Sequence, residues 1–127
     1  MTKKENYLFD NIFAPHCDSD KIFLINDEYE ISYLKFNKIV NQIANALVSK
    51  GLKAGDRVAV QAEKSVIQIA LYVATIKAGG IYLPLNTGYT TNELDYFIND
   101  SSSSIVIVDS RIENKLKELL DNQNIIF

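Results

Sequence analysis

Residues 76–100 read IKAGGIYLPLNTGYTTNELDYFIND and contain four consecutive boundary signals for helices and strands. Gly79 and Gly80 end an apolar helical pattern, and the apolar run at 81–85 predicts a buried strand. A short polar loop follows at 86–88. The pair Thr90 and Glu93 forms a capping box, which predicts a helix beginning at residue 91. The stretch therefore predicts a helix end, a strand, a tight loop and a second helix in direct succession.

The same alternation continues on both sides of this stretch. The patterns predict strands at 57–61, 81–85, 105–108 and 125–127, and helices at 66–78, 91–100 and 111–121. Ser65 with Gln68 and Ser110 with Glu113 are further candidate capping boxes. Strands that alternate with helices predict a mainly parallel sheet with right-handed crossovers. Because the strands carry continuous apolar runs, we expect helices to cover both faces.

The segment before this alternation has a different pattern. Residues 7–14 suit a short amphipathic helix that Pro15 stops, and residues 21–25 and 29–33 predict a hairpin. Ser32 is the expected cap of a long helix at 33–50. Gly51 follows where a left-handed residue is favoured, with Leu52 as the apolar contact beyond it. The predicted fold class is thus α/β, with an N-terminal hairpin and a mainly parallel sheet covered by helices.

Composition limits the possible functions. The chain has 127 residues, of which 47% are hydrophobic and 23% charged, and this composition is typical of one globular domain. The net charge of −3 does not favour binding to nucleic acid. One cysteine and one histidine exclude an internal disulfide and favour no metal site. No apolar segment is long enough for a membrane span, and no secretory signal is visible. We therefore expect a cytoplasmic protein.

Two apolar segments predict contact with further protein. The helix at 66–78 is apolar almost all round, so it is expected to be buried on more than one side. The sequence ends within the apolar run 125–127. We therefore interpret residues 1–127 as an incomplete portion of a larger domain.

The carboxyl ends of the predicted strands indicate where a ligand would bind. In an open parallel sheet, ligands bind beyond these ends, which here are residues 63–65, 86–88 and 109–111. Helix-start amides at the same edge favour an anion. The residues alone leave two interpretations open, the wall of a nucleotide or coenzyme A (CoA) site and capped loops with no ligand. No glycine-rich phosphate loop and no nucleophile with an adjacent base is present, so no catalytic residue is assigned.

Several segments in register resemble the acyl-adenylating superfamily, which includes the acyl-CoA synthetases. Residues 31–34 (ISYL) resemble its first core motif, residues 51–60 (GLKAGDRVAV) its turn into the next strand, and residues 77–86 (KAGGIYLPLN) its second core motif. Their order and spacing agree over nearly the whole chain. Residues 61–65 (QAEKS) and 83–90 (LPLNTGYT) are similar to those of malonyl-CoA synthetases.

The resemblance implies a function for the complete enzyme. Such an enzyme uses ATP and Mg²⁺ to adenylate a small carboxylic acid, here malonate, and CoA then displaces AMP. The family's phosphate loop, nucleotide motifs and catalytic lysine have no counterpart in this chain. We therefore expect the chain to be inactive alone, to bind none of these ligands tightly, and to have the remainder of the same enzyme as its partner.

The resemblance also suggests a CoA-side crevice formed by Asn86, Thr87, Gly88 and Arg111. Gly88 would permit close backbone approach, and Arg111 could pair with a phosphate. Two other functions stay open. One is a non-catalytic, stand-alone α/β binding or interaction module. The other is a phosphoacceptor domain with Asp109 as the acceptor.

Overall fold

The computed structural model of the chain describes residues 6–120. The strand predicted at 125–127 lies outside these residues. The elements in chain order are α1 (Tyr7–Ile12), a 3₁₀ turn (Ala14–His16), β1 (Ile22–Ile25), β2 (Glu30–Ser32), α2 (Tyr33–Ser49), β3 (Arg57–Val60), α3 (Val66–Lys77), β4 (Ile81–Pro84), α4 (Thr91–Ser101), β5 (Ile105–Ile107) and α5 (Ser110–Leu119). Within residues 6–120, no helix is both long and apolar enough to cross a bilayer.

The three strands of the central sheet are parallel, as predicted. Their order is β4-β3-β5, with Val58 of β3 opposite both Tyr82 and Ile105. The predicted hairpin is also confirmed, because β1 and β2 pair in antiparallel fashion as a separate two-stranded sheet. The fold class predicted from the sequence is therefore confirmed.

Helices cover both faces of the parallel sheet. Alternate residues of β3 point to opposite sides, so Val58 and Val60 lie in the core shared with α2 and α3. Ala59 points the other way and packs in a second core that includes Leu94 of α4 and Leu116 of α5. The central strand is buried on both faces, which explains why its sequence does not alternate with polar residues.

The predicted helix starts are only partly confirmed. Thr90 and Glu93 form the complete reciprocal capping box at α4. Ser65 caps α3, but the side chain of its expected partner Gln68 is oriented toward the Ala62 carbonyl oxygen instead. The prediction for Ser110 is wrong. Asp109 caps α5 and Ser110 is the first helical residue, because the Asp109 carboxylate accepts a hydrogen bond from the Arg111 amide at 2.8 Å.

The first helix also ends earlier than predicted. Helix α1 stops at Ile12, and Pro15 lies in the first turn of the 3₁₀ segment rather than directly after the helix. Proline is tolerated there because the first-turn amides have no partner within the helix.

The two glycines of the opening stretch dock the start of β4 against the turn before β3. Gly79 has a φ of +85°, and its carbonyl oxygen accepts a hydrogen bond from Gly55 at 2.9 Å. A Cβ on Gly80 would lie 3.1 Å from Thr75 Cγ2 and 3.3 Å from the Asp56 carbonyl oxygen. The Ala-Gly-Gly sequence therefore serves two needs, since Gly79 supplies a left-handed turn and Gly80 supplies space.

Helix α3 leaves apolar surface uncovered within the described residues. Ala70, Val73 and Ala74 are fully buried, whereas Ile67 is 58% exposed and Tyr72 is 41% exposed. The helix is thus apolar on a face that α2 and the sheet do not cover. This agrees with the prediction that the helix has an additional packing partner.

Substitutions at Gly80 and Gly51 should separate crowding from backbone strain. Gly80→Ala should lower the free energy of unfolding by about 1–3 kcal/mol, because the methyl group meets buried atoms. Gly51 has a φ of +96°, and a Cβ on it would have no neighbouring atom within 4 Å. Gly51→Ala should therefore lower the free energy of unfolding by about 1–2 kcal/mol through strain alone. Urea unfolding measures both changes.

Asparagine variants at the same positions provide the control. Asparagine tolerates the left-handed region, so Gly51→Asn should be more stable than Gly51→Ala. Gly80→Asn should be no more stable than Gly80→Ala, because the larger side chain increases the crowding. A Gly80→Ala protein as stable as the parent chain would show that the packing around Gly80 is not limiting.

Candidate functional site

A cleft of about 370 Å³ opens at the carboxyl ends of the parallel strands. Residues that follow each of the three strands line it, together with the first turns of α4 and α5. The lining consists of Gln61, Ala62, Glu63, Thr87, Tyr89, Thr90, Thr91, Asp109, Arg111, Ile112 and Lys115. This is the edge at which a parallel sheet presents ligand-binding loops, and it is the edge at which the sequence predicted a crevice.

Gln61 holds two of these segments together. It follows β3 directly, is only 7% exposed, and donates hydrogen bonds from Nε2 to the carbonyl oxygens of Asn86, at 2.8 Å, and Tyr89, at 3.2 Å. The Gln61 amide also donates to the Ile107 carbonyl oxygen of β5. One buried side chain directly after the central strand therefore fixes the loop between β4 and α4.

Asn86 and Gly88 form the tight turn of that loop. The Gly88 amide donates a hydrogen bond to Asn86 Oδ1 at 2.8 Å, and a Cβ on Gly88 would lie 3.2 Å from the same oxygen. The turn is thus closed by a side chain that mimics a backbone acceptor. Of the four predicted site residues, Thr87 and Arg111 line the cleft, while Asn86 and Gly88 shape the loop that carries Thr87.

Arg111 forms an ion pair with Asp109. Arg111 Nε lies 2.9 Å from Asp109 Oδ1, and Nη2 lies 3.2 Å from Oδ2. The hydrogen bond from the Arg111 side chain, together with that from its amide, lowers the pKa of the Asp109 carboxyl below its ordinary value. The Arg111 side chain is 81% exposed, so the pair is a surface pair of small energetic value. Arg111 can therefore exchange this partner for another anion at little cost.

Lys115 brings a second cation to the cleft. It lies four residues after Arg111 on α5, which places both on one side of the helix. Glu63 and Asp109 supply two carboxylates to the same lining. The cleft thus carries balanced charges, with one cation paired to Asp109.

The helix starts contribute fewer unpaired amides than the sequence suggested. Thr90 Oγ1 accepts from the Glu93 amide at α4, and the Asp109 carboxylate accepts from the Arg111 amide at α5. The caps therefore take up part of the donor capacity that would otherwise favour an anion. Thr91, which opens α4, lies in the cleft lining.

The lining suits binding better than catalysis. Among the described residues it offers hydroxyls, two carboxylates and two cations, but no imidazole or thiol that could act as a base or nucleophile. Within residues 6–120, no three His, Cys, Asp or Glu side chains form a cluster that could hold a metal ion. Asp109 in particular has both carboxylate oxygens bonded to Arg111.

The predicted site did not include Lys115, which brings a cation to this cleft, or Gln61, which fixes its loop. The signal for Lys115 was its helical spacing from Arg111, since residues four apart share a face. The signal for Gln61 was a polar side chain directly after an apolar strand. Its two carbonyl partners lie 25 and 28 residues away in sequence, so local patterns did not reveal them.

The chain matches a known family over most of its length. Residues 13–126 match the family described as AMP-binding enzyme. Over 107 residues the chain is 35% identical to vanchrobactin synthetase VabF of Vibrio anguillarum, and the match covers 84% of this chain and 4% of that protein. Over 100 residues it is 29% identical to tyrocidine synthase 1 of Brevibacillus parabrevis, covering 79% of this chain and 9% of that protein.

A solved structure is similar as well. The fold resembles ATP-bound MatB from Rhodopseudomonas palustris with a TM-score of 0.82 and 41% sequence identity. The match covers 94% of this chain but 23% of the MatB chain. The chain therefore spans less than a quarter of the length of each of these three relatives.

Replacing Gln61 should loosen the loop at 86–89. Gln61→Leu keeps a similar volume but removes both hydrogen bonds, and should lower the free energy of unfolding by about 1–3 kcal/mol because the carbonyl oxygens of Asn86 and Tyr89 lose this donor. Hydrogen exchange of the Gly88 and Tyr89 amides should accelerate. Gln68→Leu, which changes a glutamine on α3, is the control and should leave these two amides unchanged. Unaltered exchange in Gln61→Leu would contradict the clamping role.

Proposed function

The chain belongs to the family of AMP-binding enzymes, and from this premise we propose that residues 1–127 form the N-terminal portion of the adenylation domain of an acyl-CoA synthetase. In the proposed reaction, ATP adenylates a carboxylic acid, and the CoA thiol then displaces AMP to give the thioester. The observation that carries the proposal is the 94% coverage of this chain by a match to 23% of MatB. A cytoplasmic location fits the use of these substrates.

We propose malonate as the acid. Two facts support this choice, the 41% identity to the malonyl-CoA synthetase MatB and the similarity of residues 61–65 and 83–90 to such enzymes. The identity is lower for another ligase structure, at 19% for a benzoate CoA ligase from Burkholderia xenovorans.

We propose that ATP and Mg²⁺ are bound by parts of the enzyme other than residues 1–127. The sequence has no glycine-rich phosphate loop, and residues 6–120 offer no cluster of acidic side chains for a metal ion. The residues present therefore do not fit Mg-ATP, and no step that involves it is assigned to them. The chain alone is proposed to be inactive.

The cleft is proposed to face CoA. Thr87, Arg111 and Lys115 line it and offer a hydroxyl and two cations to phosphate oxygens, while Asn86 and Gly88 hold the loop in shape. Arg111 would then divide its donors between Asp109 and a phosphate. The contact to a phosphate would be charge-assisted, as the exposed contact to Asp109 is, so Arg111 can bind both anions at little cost.

A chimera tests this proposal directly. Residues 1–127 would replace the matching 23% of MatB, a graft for which the TM-score of 0.82 gives compatible geometry. With malonate, ATP and CoA, the chimera should form malonyl-CoA. Residues 1–127 alone and the MatB remainder alone should both release no AMP.

The same assay separates the competing functions. A chimera that is folded by circular dichroism and monodisperse in gel filtration but forms no thioester would contradict the proposal and favour a stand-alone binding module. Thioester formation by residues 1–127 alone would also contradict it. Acetyl-phosphate labelling of Asp109 would instead favour the phosphoacceptor alternative.

Within the active chimera, Arg111→Ala should raise the apparent KM for CoA about tenfold, which corresponds to about 1.4 kcal/mol. Adenylate formation in the absence of CoA should stay unchanged. Arg57→Ala is the control, since Arg57 begins β3 at the opposite end of the sheet and donates to the Ser101 carbonyl oxygen. An unchanged CoA dependence in Arg111→Ala would remove Arg111 from the site.

A further inference from the structure

Asp109 makes three hydrogen bonds with one residue, Arg111. Its Oδ1 accepts from the Arg111 amide at 2.8 Å and from Arg111 Nε at 2.9 Å, and its Oδ2 accepts from Nη2 at 3.2 Å. The bond from the amide caps α5, so one carboxylate holds both the backbone and the guanidinium of Arg111. Asp109 thus restrains a long, flexible side chain at its two ends.

These bonds occupy only one edge of the Arg111 guanidinium. An arginine fork is planar, and one edge of it can bind an anion through two parallel hydrogen bonds. Asp109 occupies the edge formed by Nε and Nη2, whereas no described residue accepts a hydrogen bond from Nη1. The edge formed by Nη1 and Nη2 is therefore open, in a side chain that is 81% exposed and lines the cleft.

We propose that Asp109 is a positioning residue that orients this open edge of Arg111 for a phosphate of CoA. The inference rests on the proposed function, because it takes CoA as the ligand of the cleft. Asp109 keeps its own hydrogen bonds when the phosphate binds, and the two anions occupy different edges of one guanidinium. Asp109 therefore acts through Arg111 and does not contact the ligand.

Restraint of Arg111 before binding favours affinity. An arginine side chain has many rotamers, and a ligand that must immobilise it loses part of the binding free energy to that ordering. The Asp109 carboxylate restrains the guanidinium in the unliganded chain, so less ordering remains for the phosphate. Loss of this restraint should weaken CoA binding about threefold to tenfold, which is the range expected for immobilising one long side chain.

The charge of Asp109 has the opposite effect on a phosphate. A carboxylate repels it, so removal of the charge alone would strengthen CoA binding. Asp109 is exposed, and about 0.15 M salt screens such repulsion beyond about 8 Å. Glu63 is a second carboxylate of the same cleft, and it acts on Arg111 through its charge without a hydrogen bond. Comparison of the two carboxylates therefore separates orientation from charge.

Amide variants of the two carboxylates in the active chimera test the assignment. Asp109→Asn keeps the side-chain length and one oxygen that accepts from the Arg111 amide, so the cap of α5 is retained, but the second acceptor for the guanidinium is lost. It should raise the apparent KM for CoA about threefold to tenfold. The change in kcat should be smaller, because saturating CoA immobilises Arg111 in either protein. Glu63→Gln is the matched control, and it should leave this KM unchanged or lower it.

A double variant shows whether the effect passes through Arg111. In an Arg111→Ala background, Asp109→Asn should cause no further rise in KM, since no guanidinium is left to orient. A rise that persists in this background would overturn the proposal in favour of a purely structural role at the start of α5.

The single variants separate this inference from the proposed function. If Arg111→Ala raises the KM for CoA while Asp109→Asn leaves it unchanged or lowers it, the positioning role is overturned and the CoA-facing cleft stands. If Arg111→Ala itself does not raise the KM, the proposed CoA site is contradicted, and the positioning role with it.

A measurement on the chain itself is independent of ligase activity. Nitrogen relaxation of the arginine Nε–H groups reports side-chain order, and the chain has only two arginines, Arg57 and Arg111, so each signal can be assigned by substitution. Arg111 Nε should be ordered in the unaltered chain and mobile in Asp109→Asn. Arg57, whose Nη1 donates to the Ser101 carbonyl oxygen at 2.9 Å, is the reference and should not change. An Arg111 Nε that is already mobile in the unaltered chain would overturn the proposal.

Discussion

The geometry of this molecule depends on the close approach of two backbone segments, the Gly79-Gly80 turn and the turn at residues 54–56. The Gly55 amide donates to the Gly79 carbonyl oxygen, and the Ile81 amide donates to the Asp56 carbonyl oxygen at 2.8 Å. These bonds set β4 level with β3 before the first residue of either strand pairs. Because parallel strands in register end together, the loops that follow them are brought to one edge, where the cleft forms.

The far ends of the same strands are held by a side chain rather than by glycine. Gln61 extends the central strand by one residue and reaches across to the loop after β4, while its amide binds β5. Different interactions therefore position the segments next to the two ends of β3. Backbone contact at one end fixes the register, and a buried amide at the other fixes the loop that carries Thr87. The exposed charged side chains around Arg111 are carried by segments that follow these aligned strands.

Local sequence patterns predicted the fold because each element carries its own boundary signals. Ser32, Gly51 and the Thr90–Glu93 pair act within a few residues of themselves, so spacing alone reveals them. The helix start at α5 was misassigned because Asp109 and Ser110 are adjacent and both good caps, and it is the Asp109 carboxylate that accepts the Arg111 amide. A cleft opens at the strand ends that the topology indicated, but Gln61 was missed because its partners are distant in sequence.

Pro84 limits hydrogen bonding along the outer flank of β4. The Leu85 amide bonds to the Val60 carbonyl oxygen, so alternation turns the backbone of Pro84 toward the outer flank of β4. Proline has no N–H, and an incoming strand would meet a missing donor at that point. Among residues 6–120 this flank is an edge of the sheet, and the missing donor makes it a poor template for edge-to-edge association.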